Sequence, residues 1–348
     1  TMLRKNRKKL ISLLMLVLFT VLVVRVNRVT KTELVSRNGQ TFEKAVVEEI
    51  LTDNLQADGS RVGQQTVTVK MLTGVRKGET LEVTSSSGYL FGAGCTPGMH
   101  VIVMQSVAGE TTIASVYTQD REWVIYIFAA LYLLLLCVIG GKQGVRGSLG
   151  LVFTFISVIF LYIPLIYQGY SPFWTAVFVC FVTTLVTMYL IGGTAGKTIC
   201  AIGGTIAGIL CAGVTALIFS KASGISGYNV SDIETLLTLW NTDGIQVGGL
   251  LFSGLLISAL GATMDVAMSV SSAMEEIAKQ NPNLGMRELW LSGMRVGRDM
   301  MGTDSNTLIL AFAGTSTSTL LLDYAYDLPY QQIINSNNIG IAIMQGLA

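Results

Sequence analysis

Charge is scarce in this chain. Only 13% of its 348 residues are Asp, Glu, Lys or Arg, 51% are hydrophobic, and the mean hydropathy is +0.58. Soluble globular domains carry about a quarter of their residues charged, so the composition excludes an ordinary water-soluble enzyme and places the chain in lipid. Histidine is scarcer still. His100 stands alone, so neither a histidine-bearing zinc site nor a Ser-His-Asp triad can be assembled, and hydrolases of those types are excluded. No enzyme activity, cofactor or metal is expected.

There is also no excess of one sign. The net charge is +1 and the 23 Lys and Arg are scattered among loops, which gives nucleic acid no basic face to bind. Paired cysteines are lacking too: Cys137, Cys180, Cys200 and Cys211 lie in apolar runs and Cys95 is single in the polar region, so no disulfide framework is expected.

What is present is a succession of long apolar runs. The first, Leu10 to Val24, follows Arg4, Lys5, Arg7, Lys8 and Lys9, and positive-inside bias puts that end in the cytoplasm. Arg25, Val26, Asn27 and Arg28 follow it in place of a small-residue cleavage site, so it reads as an uncleaved anchor. Thr1 precedes Met2, the expected natural start.

Further spans are expected at 123–140, 148–168, 174–193, 198–219, 247–270 and 301–322, each near the ~20 residues that cross the hydrocarbon. An apolar run from Ile339 to Ala348 is expected to begin a last helix that the chain truncates, making about eight. Lys142 and Arg146, then Lys197, then Lys279, Arg287, Arg295 and Arg298 fall in alternate loops, consistent with a cytoplasmic face.

One long polar stretch, 28–121, interrupts this pattern. Alternating runs at Ala45–Leu51, Thr66–Met71, Thr80–Val83, His100–Gln105 and Thr112–Tyr117 are separated by turns such as Asp58-Gly59, Lys77-Gly78 and Pro97-Gly98. Alternation marks strands with one buried face, and five of them predict a small closed barrel. The expected organisation is therefore 1–27, basic segment and anchor; 28–121, extracytoplasmic β domain; 122–348, a polytopic α-helical bundle.

Gly261-Ala262-Thr263-Met264-Asp265-Val266-Ala267-Met268-Ser269, Met294 to Thr303 and Asn306-Thr307-Leu308 together resemble the YibE/F family of bacterial membrane proteins. The resemblance implies an anchor, an external β domain and a multi-span half in the bacterial cytoplasmic membrane, and it implies an apolar residue where Asp304 stands. It names no chemistry.

Candidate chemistry lies in the polar residues of the later spans. Asp265, Ser269, Ser272 and Glu276 recur at i, i+4, i+7 and i+11, stacking on one helix face. Asp265 is either a titrating relay for protons or cations or a helix-end carboxylate reaching water. Arg295, Asp299, Thr303 and Asn306 repeat that spacing on the next helix, either lining a pathway or marking the membrane surface. Thr315 to Thr319 is a dense run of hydroxyls, and hydroxyls also bond back to their own helix.

Gly192/Gly196 and Gly204/Gly208 have the spacing of close-packed membrane helices, with a helix break as the other reading. Gly192 to Thr198 is not a phosphate loop: Ile191 stands where its first glycine belongs. Residues 271–299 are expected to form a helical hairpin turned at Asn281-Pro282-Asn283.

Three functions follow. A permease for a small solute or ion, with Asp265 and Asp299 coupling, leads. A scaffold whose external domain binds an envelope protein is the alternative. An intramembrane aspartyl hydrolase using Asp265 with Asp299 or Asp304 ranks last.

Overall fold

The computed structural model describes residues 16–29, 39–86, 92–108, 111–228 and 233–347. The basic run at Arg4–Lys9 and the start of the first apolar run lie outside the described residues. The chain divides into two units, 33–135 and the combination of 1–32 with 136–348.

In the first unit, five strands form the expected barrel: β1 (Gln40–Thr52), β2 (Gln65–Met71), β3 (Thr80–Ser85), β4 (His100–Ala108) and β5 (Thr111–Gln119). Their order around the barrel is β1-β2-β3-β5-β4, closed by β1 against β4. This is the five-stranded Greek-key connectivity of the OB type.

β1 serves both neighbours because it is long and bulged, with register shifts between Val47 and Glu49 and between Ile50 and Thr52. Alternation supplies the core: Ala45, Val47, Val67, Val69, Val83, Val101, Val103 and Val116 point inward and are buried. Lys44 pairs with Asp120 at 3.5 Å and with Glu122, tying the barrel to the start of the following helix.

The second unit is helical. Helix α1 (Leu16–Val26) packs on the helix that follows the barrel: Phe19 meets Phe153 with ring centroids 4.7 Å apart, and Asn27 Nδ2 donates to the Phe160 carbonyl at 2.6 Å. That helix is α2 (Glu122–Ser157), which continues through one π turn, Val158–Tyr162, into α3 (Ile163–Tyr167). Where two spans were expected, the structure has 46 helical residues in succession. A straight helix of that length runs to about 70 Å, more than twice the hydrocarbon thickness.

Gly141 resolves the mismatch. Its φ of 52° and ψ of −131° break the helical path, a conformation open to glycine alone. Beyond it Cys137 Sγ lies 3.7 Å from Ser148 Oγ, whereas eleven residues of straight helix would hold them roughly 16 Å apart. The segment folds back, and Gly144 meets the Leu136 carbonyl so closely that no Cβ fits.

Then follow α4 (Pro172–Gly192), α5 (Gly196–Ser223), α6 (Ile233–Asp243), α7 (Leu250–Gln280), α8 (Met286–Thr315), α9 (Thr317–Ala325), α10 (Tyr330–Ile334) and α11 (Asn337–Leu347). Four helical segments are long and apolar enough to cross a membrane, or five if α8 and α9 count as one bent span. The expected count of eight is not confirmed: two expected spans share one helical run, only eleven residues of the first are described as helix, and α11 has eleven residues.

Three further departures have local causes. The expected straight span 301–322 breaks at Ser316 with a bend of 62°. Hydroxyls bond the carbonyls around the bend: Thr315 Oγ1 donates to Phe312, and Thr317 Oγ1 reaches Ala313 and Gly314 at 2.9 and 3.0 Å. The loop 221–246 contains helix α6, whose Ile233, Leu236, Leu237 and Trp240 share one face. The hairpin turned at Asn281-Pro282-Asn283 is present, but its arms are the ends of the long helices α7 and α8 themselves.

Loops sort to two ends of this unit. At one end Gln143 Nε2 donates to the Ile191 carbonyl (2.9 Å), and Lys197 pairs with Glu275 (2.9 Å), which also meets Lys279. At the other, Gln168 Nε2 reaches the Val26 carbonyl and Gln246 Nε2 the Gly169 carbonyl. These are the alternate loops that the positive charges had separated.

Candidate functional site

Small residues set the geometry in the middle of the helical unit. A Cβ on Gly208 would lie 2.7 Å from Thr263 Cγ2, and on Gly204 3.4 Å from Ala267 Cβ, so the glycine pair brings α5 and α7 into close antiparallel contact. Gly150 does the same for the second half of α2 against Thr187 of α4, at 3.0 Å. Where backbones approach this closely, larger side chains on neighbouring turns hold the helices apart and leave space.

Two spaces result, and α7 is their common wall. The smaller, about 320 Å³, lies between the second half of α2, α4 and α7, and is lined among others by Thr154, Cys180, Thr183, Thr187, Met264 and Asp265. Thr154 Oγ1 is bonded to the Gly150 carbonyl. The Oγ1 atoms of Thr183 and Thr187 are buried and bonded to nothing in the protein. They lie one helical turn apart on α4, so they line a single stripe.

The larger space, about 670 Å³, lies between α5, α7, α8 and α11, with Gly204, Ala259, Ala262, Met301, Asp304 and Phe312 in its wall. Asp304 Oδ2 is buried and has no hydrogen-bond partner. A Cβ on Gly293 would lie 2.8 Å from Met274 Sδ, and eleven residues along each arm of this antiparallel hairpin place Asp304 level with Thr263. Asp265 and Asp304 therefore line different cavities at nearby levels of α7.

Of the residues singled out on α7, only Asp265 lines a cavity. Ser269 is exposed, Ser272 half-buried, and Glu276 is exposed and accepts from Gln280 Nε2 at 3.1 Å. Asp265 lies within a turn of the end of the bundle, because Gly192, at the end of α4, is level with Met268. The stripe of Arg295, Asp299, Thr303 and Asn306 is exposed on the outside of α8 and lines neither cavity. The inward face of that helix is instead Gly297, Met301, Asp304, Ser305 and Leu308.

The structure therefore adds Thr183 and Thr187, and puts Asp304, offered by the sequence only as a partner in hydrolysis, in a cavity wall. The two threonines carried a sequence signal, hydroxyls four apart within an apolar run, and so did the charge at 304. Among the described residues no group of three or more His, Cys, Asp or Glu side chains is placed to hold a metal ion.

A family model described as YibE/F-like protein matches residues 128–348, which is well over half of the chain and includes all of these cavity residues. No curated protein and no solved structure matches.

Proposed function

Because the chain belongs to the YibE/F-like family and carries four to five helices of spanning length, we propose that it is a membrane permease whose smaller cavity binds a small solute or ion. The observation that carries this reading is the pair of buried, unpartnered hydroxyls of Thr183 and Thr187, two residues that line a cavity with Asp265 in its wall. Buried polar atoms without partners cost about 1 to 3 kcal/mol each, and a bound polar ligand offsets that cost. At about 320 Å³ the space is at the low end for ligand sites, which favours an inorganic ion or a small metabolite over a peptide or lipid.

In this reading α7 presents Asp265 as the coupling group for protons or cations, and the exposed Asp299 is left at the membrane surface. The chain sits in the bacterial cytoplasmic membrane with the N-terminus inside and residues 28–121 outside, as the alternation of Lys and Arg among its loops supports. No catalytic residue is assigned.

The test is thermal stabilisation of the purified full chain by a panel of ions and small solutes, followed by flux in proteoliposomes. One ligand is expected to stabilise the wild type and to be carried, with both effects lost in Asp265→Asn. Flux that survives Asp265→Asn unchanged would end the coupling role.

A second reading, a scaffold binding an envelope protein through the barrel, is favoured by one feature. Phe42 and Tyr117 form an edge-to-face pair 5.1 Å apart and both remain exposed, as aromatic anchors of protein interfaces do. Capture of a partner by the full chain, lost in Phe42→Ser/Tyr117→Ser, together with no flux of any solute, would decide for it.

A further inference from the structure

The larger cavity differs from the smaller in chemistry as well as size. Three of its hydroxyls are spoken for: Ser258 Oγ donates to the Leu255 carbonyl, Thr263 Oγ1 to Ala259, and Ser305 Oγ to Met301; the Ser271 hydroxyl and the Gln345 amide also line the cavity. The rest of the wall is largely glycine, alanine and apolar side chains. Against this lining a single acceptor, Asp304 Oδ2, is buried without a partner, and no ion pair among the described residues involves it. An ionised carboxylate in such surroundings is costly unless a cation or donor compensates it.

From this juxtaposition we infer that the larger cavity is a second binding site, for an amphipathic organic cation whose ammonium group donates to Asp304 and whose hydrocarbon body fills the space walled by Ala259, Ala262, Met301 and Phe312. The volume, about 670 Å³, is in the range of sites for drug-sized molecules and far exceeds a bare ion. One charged side chain in a largely apolar wall matches a ligand with one charged end. The inference does not rest on transport: the site uses different residues and holds whether or not the smaller cavity carries a solute.

The experiment is calorimetric titration of the full-length protein in lipid nanodiscs with n-hexylammonium, and with hexan-1-ol as the uncharged counterpart. Saturable binding of hexylammonium is expected, weaker for hexan-1-ol by about tenfold or more. Asp304→Asn, which keeps the shape and removes the charge, is expected to weaken hexylammonium binding by a similar factor. Asp299→Asn, which lies outside both cavities, is expected to retain it. Ala262→Leu, which narrows the apolar end and leaves the carboxylate alone, is expected to weaken both probes. Equal binding of the two probes, or unchanged affinity in Asp304→Asn, overturns the proposal. So does loss confined to Asp265→Asn, which would place the probe in the smaller cavity.

Discussion

The two units treat their buried polar groups in opposite ways. In the barrel, Gln65 is fully buried yet bonded three times: its Nε2 donates to the Cys95 carbonyl (3.1 Å) and to Asp53 Oδ1 (3.2 Å), and its Oε1 accepts the Cys95 N–H at 2.8 Å. Arg61 completes this clasp across the β1–β2 loop, reaching Asp53 at 2.7 Å and Asn54 at 2.9 Å. In the helical unit, Thr183, Thr187, Thr198, Thr205 and Asp304 each bury an oxygen that bonds to nothing in the protein. Among the described residues every such atom belongs to the helices. A satisfied network fixes one structure, whereas a buried group left unpaired is kept at a cost; Thr183, Thr187 and Asp304 are the three of these that belong to cavity walls.

The contrast is sharpest at Gln65. Gln65→Ala strands the Cys95 backbone N–H and removes two further bonds, and is expected to cost about 3 kcal/mol of barrel stability. Thermal unfolding of the full chain, followed by circular dichroism at the β signal, checks it. A loss near zero would mean that water replaces the clasp and that the barrel is no better satisfied than the helices.

At the opposite pole, Thr187→Val keeps the methyl that packs on Gly150 and deletes the unpartnered hydroxyl. It is expected to leave stability unchanged or to raise it by about 1 kcal/mol, while weakening whatever ligand the smaller cavity binds. Chemical denaturation and ligand titration of the same variant separate the two effects. A loss of stability as large as that of Gln65→Ala would erase the distinction between the units.

The smallest effect concerns pH. Burial pushes the Cys95 thiol pKa up in the folded barrel. The protonated form is thus favoured by folding, so its contribution is fully present below the unfolded thiol value, near pH ~8.5. It is lost as the pH rises through the folded value. Stability is expected to be flat on this account through neutral pH and to fall above pH ~8.5, with a shallower fall in Cys95→Ser. A matching decline in the variant would assign the pH dependence to other groups.

The fold was legible where a periodicity belongs to one element alone. Five alternating runs became five strands, because side chains in a strand point to opposite faces and the buried valines can occupy only every second position. The helix pair at Gly204 and Gly208 was readable for a similar reason: two glycines four residues apart give a smooth face, and Thr263 and Ala267 occupy it. The fold-back at Gly141 was visible as the boundary between two runs, but the absence of any loop there was not, since it follows from one left-handed dihedral.

The candidate site was only half legible. Asp265 stood out as a charge in an apolar run and does line a cavity. On α8 the pattern of Arg295, Asp299, Thr303 and Asn306 selected one stripe, and packing turned the adjacent one inward. Both stripes obey helical spacing, and sequence alone gives no reason to choose. Contact with α7 and α11 chose, and it placed Asp304 inside. The break at Ser316 was hidden likewise, because five consecutive hydroxyls are compatible with a straight helix or with a bent one whose freed carbonyls they cap.

By itself the sequence determined that the chain is a membrane protein with a β-rich insert, which residues alternate into the barrel core, and that Gly204 and Gly208 bring two helices together, whereas Gly192 and Gly196, read the same way, end one helix and begin the next. Local composition and period decide these, and they act over a few residues. Only the tertiary structure decided which polar atoms go unpaired, which face of α8 turns inward and that α7 separates two cavities. Those depend on the rotation of one helix against another, and rotation is fixed by packing between residues far apart in the chain.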